Sequence, residues 1–278
     1  THVAWFTFHR TTIEKYGRMD QRATVWTRPG HLVGNGAFIL KEWTNGRVVR
    51  VVQSPTYWDR QHVRLREAAF YPIVSIATGE SMFRAGQLHI SYTPVDKILT
   101  YKSDPRAAAL LHEGPLLNTA FFRLNCAHPP LNDVRVRRAL SFAIDREQLV
   151  RRVIHSEQPA FTLTPPGCAG YTAEPVSRLD LAEARGLLAA AGFPGGRGFP
   201  RLDVLFYGRG DAETVCEAMQ QMWRVNLGVQ VTLVRQEMNV VLAARRAHDY
   251  QILSANWGGD FLDPTTFLDL LRTNDGNN

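Results

Sequence analysis

Residues 202–255 read LDVLFYGRGDAETVCEAMQQMWRVNLGVQVTLVRQEMNVVLAARRAHDYQILSA, and the apolar pattern within them switches repeatedly between two periods. Leu202 to Tyr207 is a short apolar run of strand length. Ala212 to Asn226 places Val215, Met219, Met222 and Trp223 on one helical face. Val229 to Val234 returns to a strand, Met238 to Ala247 to a helix, and Tyr250 to Ala255 to a strand. Strands alternating with helices of this length predict an α/β lobe with crossover helices.

Working outward, the connector Phe193 to Pro200 is rich in Gly and Pro. Before it, Asp180 is placed to cap a helix whose Leu181, Ala184, Leu187, Leu188 and Ala191 form an apolar stripe ending at Gly192. Pro159 to Gly170 reads as an irregular loop. Asn132 or Asp133 can cap a helix running to Ile144 with Val136, Ala139, Leu140 and Ala143 on one face, and Asp145 with Gln148 resembles a capping box for the next. Leu116 to Leu124 fits a buried strand.

The first part has a different texture. Ala37 to Trp43, the turn Thr44-Asn45-Gly46 and Arg47 to Gln53 predict a hairpin. Ala68 to Ile73 reads as a further strand, Ala77 to Ala85 as a helix stopped by Gly86, and Leu88 to Ser91 as a short strand; Pro94 begins a helical stretch. The change in organisation sets an expected boundary near Leu117, giving a β-rich part at 1–117 and an α/β part at 118–278. After the last strand, the loop Asn256 to Pro264 leads to a short helix at Thr265 to Leu271, and the polar end Asp275 to Asn278 is expected to fray.

Bulk composition narrows the function classes. The 278 residues are 45% hydrophobic and 21% charged, with a formal charge of +6 and a pI near 9.5. Arg47, Arg50, Arg60, Arg64 and Arg66 are not interleaved with aromatics in a stacking pattern, which argues against nucleic acid as a partner. Cys126, Cys168 and Cys216 form no C-x-x-C pair and have no His at ligand spacing, so neither a metal nor another cofactor is expected, and buried free thiols are the favoured reading over a single bridge. Asp260, Asp263 and nine histidines could supply acid-base groups, but no G-x-S-x-G, H-E-x-x-H or Cys/His arrangement supports a hydrolase.

Several segments together resemble the oligopeptide- and dipeptide-binding proteins of ABC importers, solute-binding family 5. These are Asn35-Gly36-Ala37-Phe38 with Trp43 and Ser54 to Asp59; Phe83 to Ile90, where Gln87 and His89 replace two usual carboxylates; and Leu124-Asn125 with Pro129-Pro130-Leu131-Asn132-Asp133-Val134-Arg135-Val136-Arg137-Arg138-Ala139-Leu140 and Ala143-Ile144-Asp145-Arg146. Thr164-Pro165-Pro166, Ala190 to Phe193, Gly228-Val229 and Trp257-Gly258-Gly259-Asp260-Phe261-Leu262-Asp263-Pro264 continue the match in order.

The resemblance implies a fold like that of type II periplasmic binding proteins, with one nearly complete α/β lobe plus part of the other, in a chain cut from something longer. It implies a monomer, periplasmic or otherwise extracytoplasmic, that binds oligopeptides in the cleft between lobes without catalysis and delivers them to inner-membrane ABC permease subunits. Relatives anchor the peptide's α-ammonium at the position of Asp260. Asn256 and Gly258 offer backbone to an extended ligand, Trp257 is a pocket wall or plain core, and Arg245 falls where some relatives meet the peptide carboxylate, with a solvated helix-end arginine as the alternative. A cysteine pair of some relatives falls at Asn118 and Gly258, so that bridge is absent. Binding of another solute on the same fold, such as a nickel complex, a sugar or haem, is the alternative.

Overall fold

The computed structural model describes residues 7–21, 24–114, 116–155, 157–208 and 211–272. The polar end at 275–278 lies outside them. The chain divides into two compact units, Thr1–Tyr92 and Thr93–Asn278, so the helical segment after Tyr92 clusters with the second unit. That partition falls earlier in the chain than the boundary drawn near Leu117.

In the first unit, helix α1 (Arg10–Tyr16) precedes an antiparallel sheet of order β1-β2-β3, formed by Phe38–Thr44, Val48–Gln53 and Glu67–Phe70. The hairpin pairs Phe38 with Gln53 through to Thr44 with Val48. Its turn needs Gly46 at a φ of +69°, where a side chain would be strained. β3 is shorter than the apolar run suggests because Pro72, without an N–H, cannot continue the ladder. α2 (Ile76–Arg84) is capped by Ser75, whose hydroxyl accepts from the Thr78 N–H at 3.2 Å. Leu88 to Ser91 is not a strand: no strand among the described residues pairs with it.

The second unit opens with α3 (Val95–Ser103) and α4 (Pro105–Ala108). It then runs β4 (Asn118–Leu124), α5 (Val134–Phe142), α6 (Arg146–Leu149), α7 (Leu181–Ala190), β5 (Leu202–Tyr207), α8 (Ala212–Leu227), β6 (Val231–Gln236), α9 (Met238–Ala247), β7 (Ile252–Gly258) and α10 (Thr265–Leu268). The sheet order is β4-β7-β5-β6. β5 pairs in parallel with β6 and β7, while β4 closes the sheet antiparallel to β7. The capping aspartates act as their spacing indicates: Asp133, Asp145 and Asp180 accept from the N–H groups of Arg135, Gln148 and Glu183 at 2.8, 2.8 and 2.9 Å. α5 stops at Phe142, short of the expected Ile144, because the chain must turn before Asp145 can start α6.

Both faces of this sheet are covered. Val136, Ala139, Leu140, Ala184, Leu188, Met219, Trp223 and Ile252 pack on one side, and Leu205, Leu253 and Val241 on the other. Trp223 is the largest fully buried side chain among the described residues, and its indole N–H donates to the Leu140 carbonyl at 2.9 Å, joining α8 to α5. The Asn226 amide repeats the tie one turn on, donating to the Ala143 carbonyl at 2.8 Å. The glycine-rich connector has a steric cause: a Cβ on Gly196 would lie 2.5 Å from the Gly228 carbonyl oxygen, so the two backbones touch directly where α8 ends.

Asn125, at the end of β4, is buried and donates from its amide to the carbonyls of His248 and Tyr250 at 2.9 Å each, while its carbonyl accepts from the Ala127 N–H. This residue of the most recognisable motif therefore locks the turn between α9 and β7 onto β4. The three cysteines are free thiols: Cys126 is exposed, and Cys168 and Cys216 are buried. Burial pushes the Cys216 thiol up to about 11. Trp223→Phe removes a buried donor and leaves the Leu140 carbonyl without it; urea denaturation should show a loss of about 1–3 kcal/mol.

Candidate functional site

The site is built at the end of β7, and the sheet's hydrogen-bond alternation defines it. Along β4 and β7 every partner pair has the same register, from Asn118 opposite Gly258 to Leu124 opposite Ile252. Just beyond the two ends, the Gly259 N–H donates to the Leu117 carbonyl at 2.7 Å and the Asn125 N–H to the Gln251 carbonyl at 2.9 Å. In an antiparallel ladder the residues bonded to the neighbour alternate. The odd-numbered residues of β7 thus spend their backbone groups on β4, and those of Asn256 and Gly258 point to the opposite side.

On that side β7 is paired with β5 only at Val204–Ile252 and Leu205–Leu253. Beyond Leu253 no strand among the described residues pairs with it. Asn256 and Gly258 are exposed there. Two residues further, where the parallel strands β5 and β7 present their carboxyl ends, the chain carries Asp260, also exposed. Its N–H donates to the Thr266 hydroxyl at 3.1 Å, and Thr266 is buried beside Phe267 on α10. α10 is thereby the platform that holds the Asp260 loop. Gly259 lets the loop sit low: a Cβ there would fall 2.4 Å from Leu117 Cδ2 and 3.2 Å from the Phe267 ring.

The neighbouring side chains divide by face. Trp257 is half-buried on the same side of the strand as Leu253 and Ala255, and its indole Nε1 is enclosed with no hydrogen-bond partner among the described residues. Asp263 caps α10: one carboxylate oxygen accepts from the Thr265 N–H at 2.9 Å and from the Thr265 hydroxyl at 2.6 Å, and these bonds hold its carboxyl below the usual range. Arg245 is elsewhere. It lies in the last turn of α9, which precedes β7, so it sits at the start of that strand, half-buried within the field of Arg123 and Tyr250. At about 3.3 Å per residue, some 20 Å of strand separates that end from Asp260.

Asn256, Gly258 and Asp260 are thus brought together, with Trp257 beside them and Arg245 apart. Thr266 and Gly259 are the parts of the arrangement that sequence reasoning left out. The local signal for Thr266 was a threonine in the first turn of a capped helix.

Residues 3–278 match the model of the bacterial extracellular solute-binding proteins, family 5 Middle. The chain belongs to this family. Among its curated relatives, the probable deoxycholate-binding periplasmic protein YgiS of Escherichia coli is 32% identical over all of this chain and 52% of its own length. The periplasmic murein peptide-binding protein MppA of the same organism is 34% identical over 91% of this chain and 48% of its own. The solved structure of the E. coli murein tripeptide-binding protein MppA superposes with a TM-score of 0.86 at 31% identity, covering 99% of this chain and 54% of that one. The chain spans about half the length of the curated relatives it matches. The similarity establishes the type II periplasmic-binding-protein fold expected from the sequence.

Because the Asp263 carboxyl is depressed in the folded protein, its capping contribution is present above the ordinary carboxylate pKa and is lost as pH falls through the folded value. In an NMR titration of backbone amides the Thr265 N–H should therefore shift with a midpoint below that of a model aspartate. A midpoint at or above that of an unstructured aspartate contradicts the capping role.

Proposed function

We propose that the protein binds extended oligopeptides, without chemical conversion, as the extracytoplasmic solute-binding component of an ABC importer. In this reading residues 118–278 supply the α/β lobe that grips the ligand, and 1–117 belong to the other lobe of a monomer that closes around it and hands it to inner-membrane permease subunits. The observation that carries the reading is the open backbone edge of β7 at Asn256 and Gly258, ending at a carboxylate. A ligand that adds as a strand satisfies backbone groups common to every peptide, so affinity does not depend on side chains. Asp260 then meets the one positive charge that every free peptide owns, its α-ammonium, in a charge-assisted bond.

Trp257 serves as a wall of the ligand site, its position fixed by the packing of the strand. Arg245 is left out of the proposed contacts, because the start of β7 is covered by β5 on the edge that a ligand strand would follow. The names of MppA and of the oligopeptide-binding proteins support a peptide. That of YgiS points to deoxycholate, an anionic amphiphile. The chemistry at Asp260 separates the two, since a carboxylate there favours an ammonium and disfavours a second carboxylate.

The test is calorimetry on the full-length protein with unmodified and N-acetylated forms of the same peptides. Asp260→Asn should weaken binding of the free peptides by about tenfold or more, and acetylation should cost the wild type a similar factor. Affinity that is the same for both forms, in wild type and variant alike, contradicts the proposal.

A further inference from the structure

Between Ile154 and Leu181 no described residue belongs to a helix or a strand. Runs of more than about 12–15 residues without secondary structure are uncommon in compact domains, and an ordered one usually serves a site. Within this run the Val176 N–H donates to the Phe161 carbonyl at 3.0 Å, so the chain at 161–176 leaves and returns at one point. A loop closed in this way is packed by its own side chains. Here the packing is Thr164 and Cys168, at 3% and 0% exposure, and the Thr162 hydroxyl donates to the Thr164 carbonyl at 2.7 Å. The enclosure is made by residues of this chain, so anything packed outside it only deepens it.

Two features fix the loop in place. Just past its closure, the hydroxyls of Ser177 and Ser141 share a hydrogen bond at 2.7 Å, and Ser141 accepts from the Arg146 guanidinium at both its hydroxyl and its carbonyl, each at 3.1 Å. The Asp180 N–H adds a bond to the Phe142 carbonyl at 3.0 Å, so the returning chain is clasped onto α5. At the tip, Gly167, Ala169 and Gly170 have φ of +93°, +37° and +76°, and the Tyr171 N–H donates to the Cys168 carbonyl at 2.6 Å. Ala169 thus holds a conformation disfavoured for a residue with a Cβ, and residues held in this way gather at functional sites. The backbone coils tightly around Cys168 and turns its side chain inward.

Cys168 belongs to neither of the core clusters on the sheet. Burial pushes its thiol up, and the Asp263 carboxylate acts on it in the same direction, which puts the tip beside the segment that follows β7. Asp263 caps α10, and α10 holds the Asp260 N–H through Thr266. We propose that loop 161–176 is a fixed buttress of the ligand site, with Cys168 as the positioning residue that bears on the Asp263 end of the Asp260 loop. The buttress makes no contact with the ligand; it sets where the Asp260 carboxylate stands, and in this respect it rests on the reading of Asp260 as the ammonium anchor. A lid needs a tip that is free to lift, whereas this tip is buried at Cys168 and the loop is clasped where it closes.

The experiment uses the full-length protein and two readouts. In the ligand-free amide spectrum, Cys168→Leu adds bulk inside the buttress and should shift the N–H signals of Asp260 and Thr265 while those of Leu253 and Ala255 on β7 stay. Cys168→Ser keeps the shape and should leave all four in place. Ser177→Ala loosens the clasp without touching the interior; it should move the same two signals by less, and it carries the test if the bulkier variant does not fold. In calorimetry with unmodified and N-acetylated forms of one peptide, Cys168→Leu should weaken the free form by about fivefold and leave the acetylated form unchanged, because only the free form uses Asp260. Unmoved Asp260 and Thr265 signals in the folded variants overturn the proposal. So does an equal loss for both peptide forms, which makes Cys168 a plain packing residue, and so do amides at 161–176 that gain exchange protection when ligand binds, which describes a lid. If the wild type does not distinguish the two peptide forms, it is the ammonium reading that fails, and the ligand-free spectrum still decides whether the loop positions Asp260.

Discussion

The alternation of hydrogen bonds along β7 is the constraint on which the candidate site depends. One strand has two edges, and β4 saturates the odd-numbered residues of β7 along its whole length. β5 covers the other edge only as far as Leu253. Of the even-numbered residues beyond it, Ser254 is half-buried, and Asn256 and Gly258 are left in solvent with their donors and acceptors directed away from β4. Edges of this kind invite strand addition, and proteins without a use for them blunt them with charge, proline or a covering element. Here the chain instead places a carboxylate at the end of the edge and braces it through Thr266 on α10.

The rest of the second unit holds that edge in place. Asn125 ties the end of β4 to the turn before β7, which fixes the register that decides which residues are free. Trp223 and Asn226 bind α8 to α5 beneath the sheet, so the strand rests on a closed core and not on a flexible support. Gly259 allows the loop after β7 to pass between Leu117 and Phe267. A shift of one residue in the β4–β7 register would exchange free and bonded groups and turn every side chain over. The structure thus commits several of its buried polar contacts to a single alignment.

Much of this was legible in the sequence, for identifiable reasons. The α/β lobe followed from apolar period alone, because Leu202 to Ala255 alternates cleanly between strand and helix, and the three capping aspartates lie at spacings with one obvious use. The prominence of Asn256, Gly258 and Asp260 came from the family resemblance, and the register supplies a physical basis for their grouping. Placement of Arg245 was not legible, since a helix that crosses back over the sheet returns its last turn to the opposite end, and sequence proximity to β7 hides that distance. Thr266 and Gly259 were missed because a hydroxyl–amide bond and a steric gap leave no periodic trace. In the first unit, Leu88 to Ser91 shows the converse: strand-like composition makes no strand where none among the described residues pairs with it.

The most direct test of the account is residue-resolved amide hydrogen exchange in the full-length protein with and without a saturating peptide. The N–H groups of Asn256 and Gly258 should exchange readily in the free protein and become strongly protected in the complex, while Ala255, Trp257 and Gly259, already bonded to β4, should change little. Protection that rises uniformly along β7, or is absent at Asn256 and Gly258 while peptide is bound, would contradict the claim that the ligand adds as a strand to this edge.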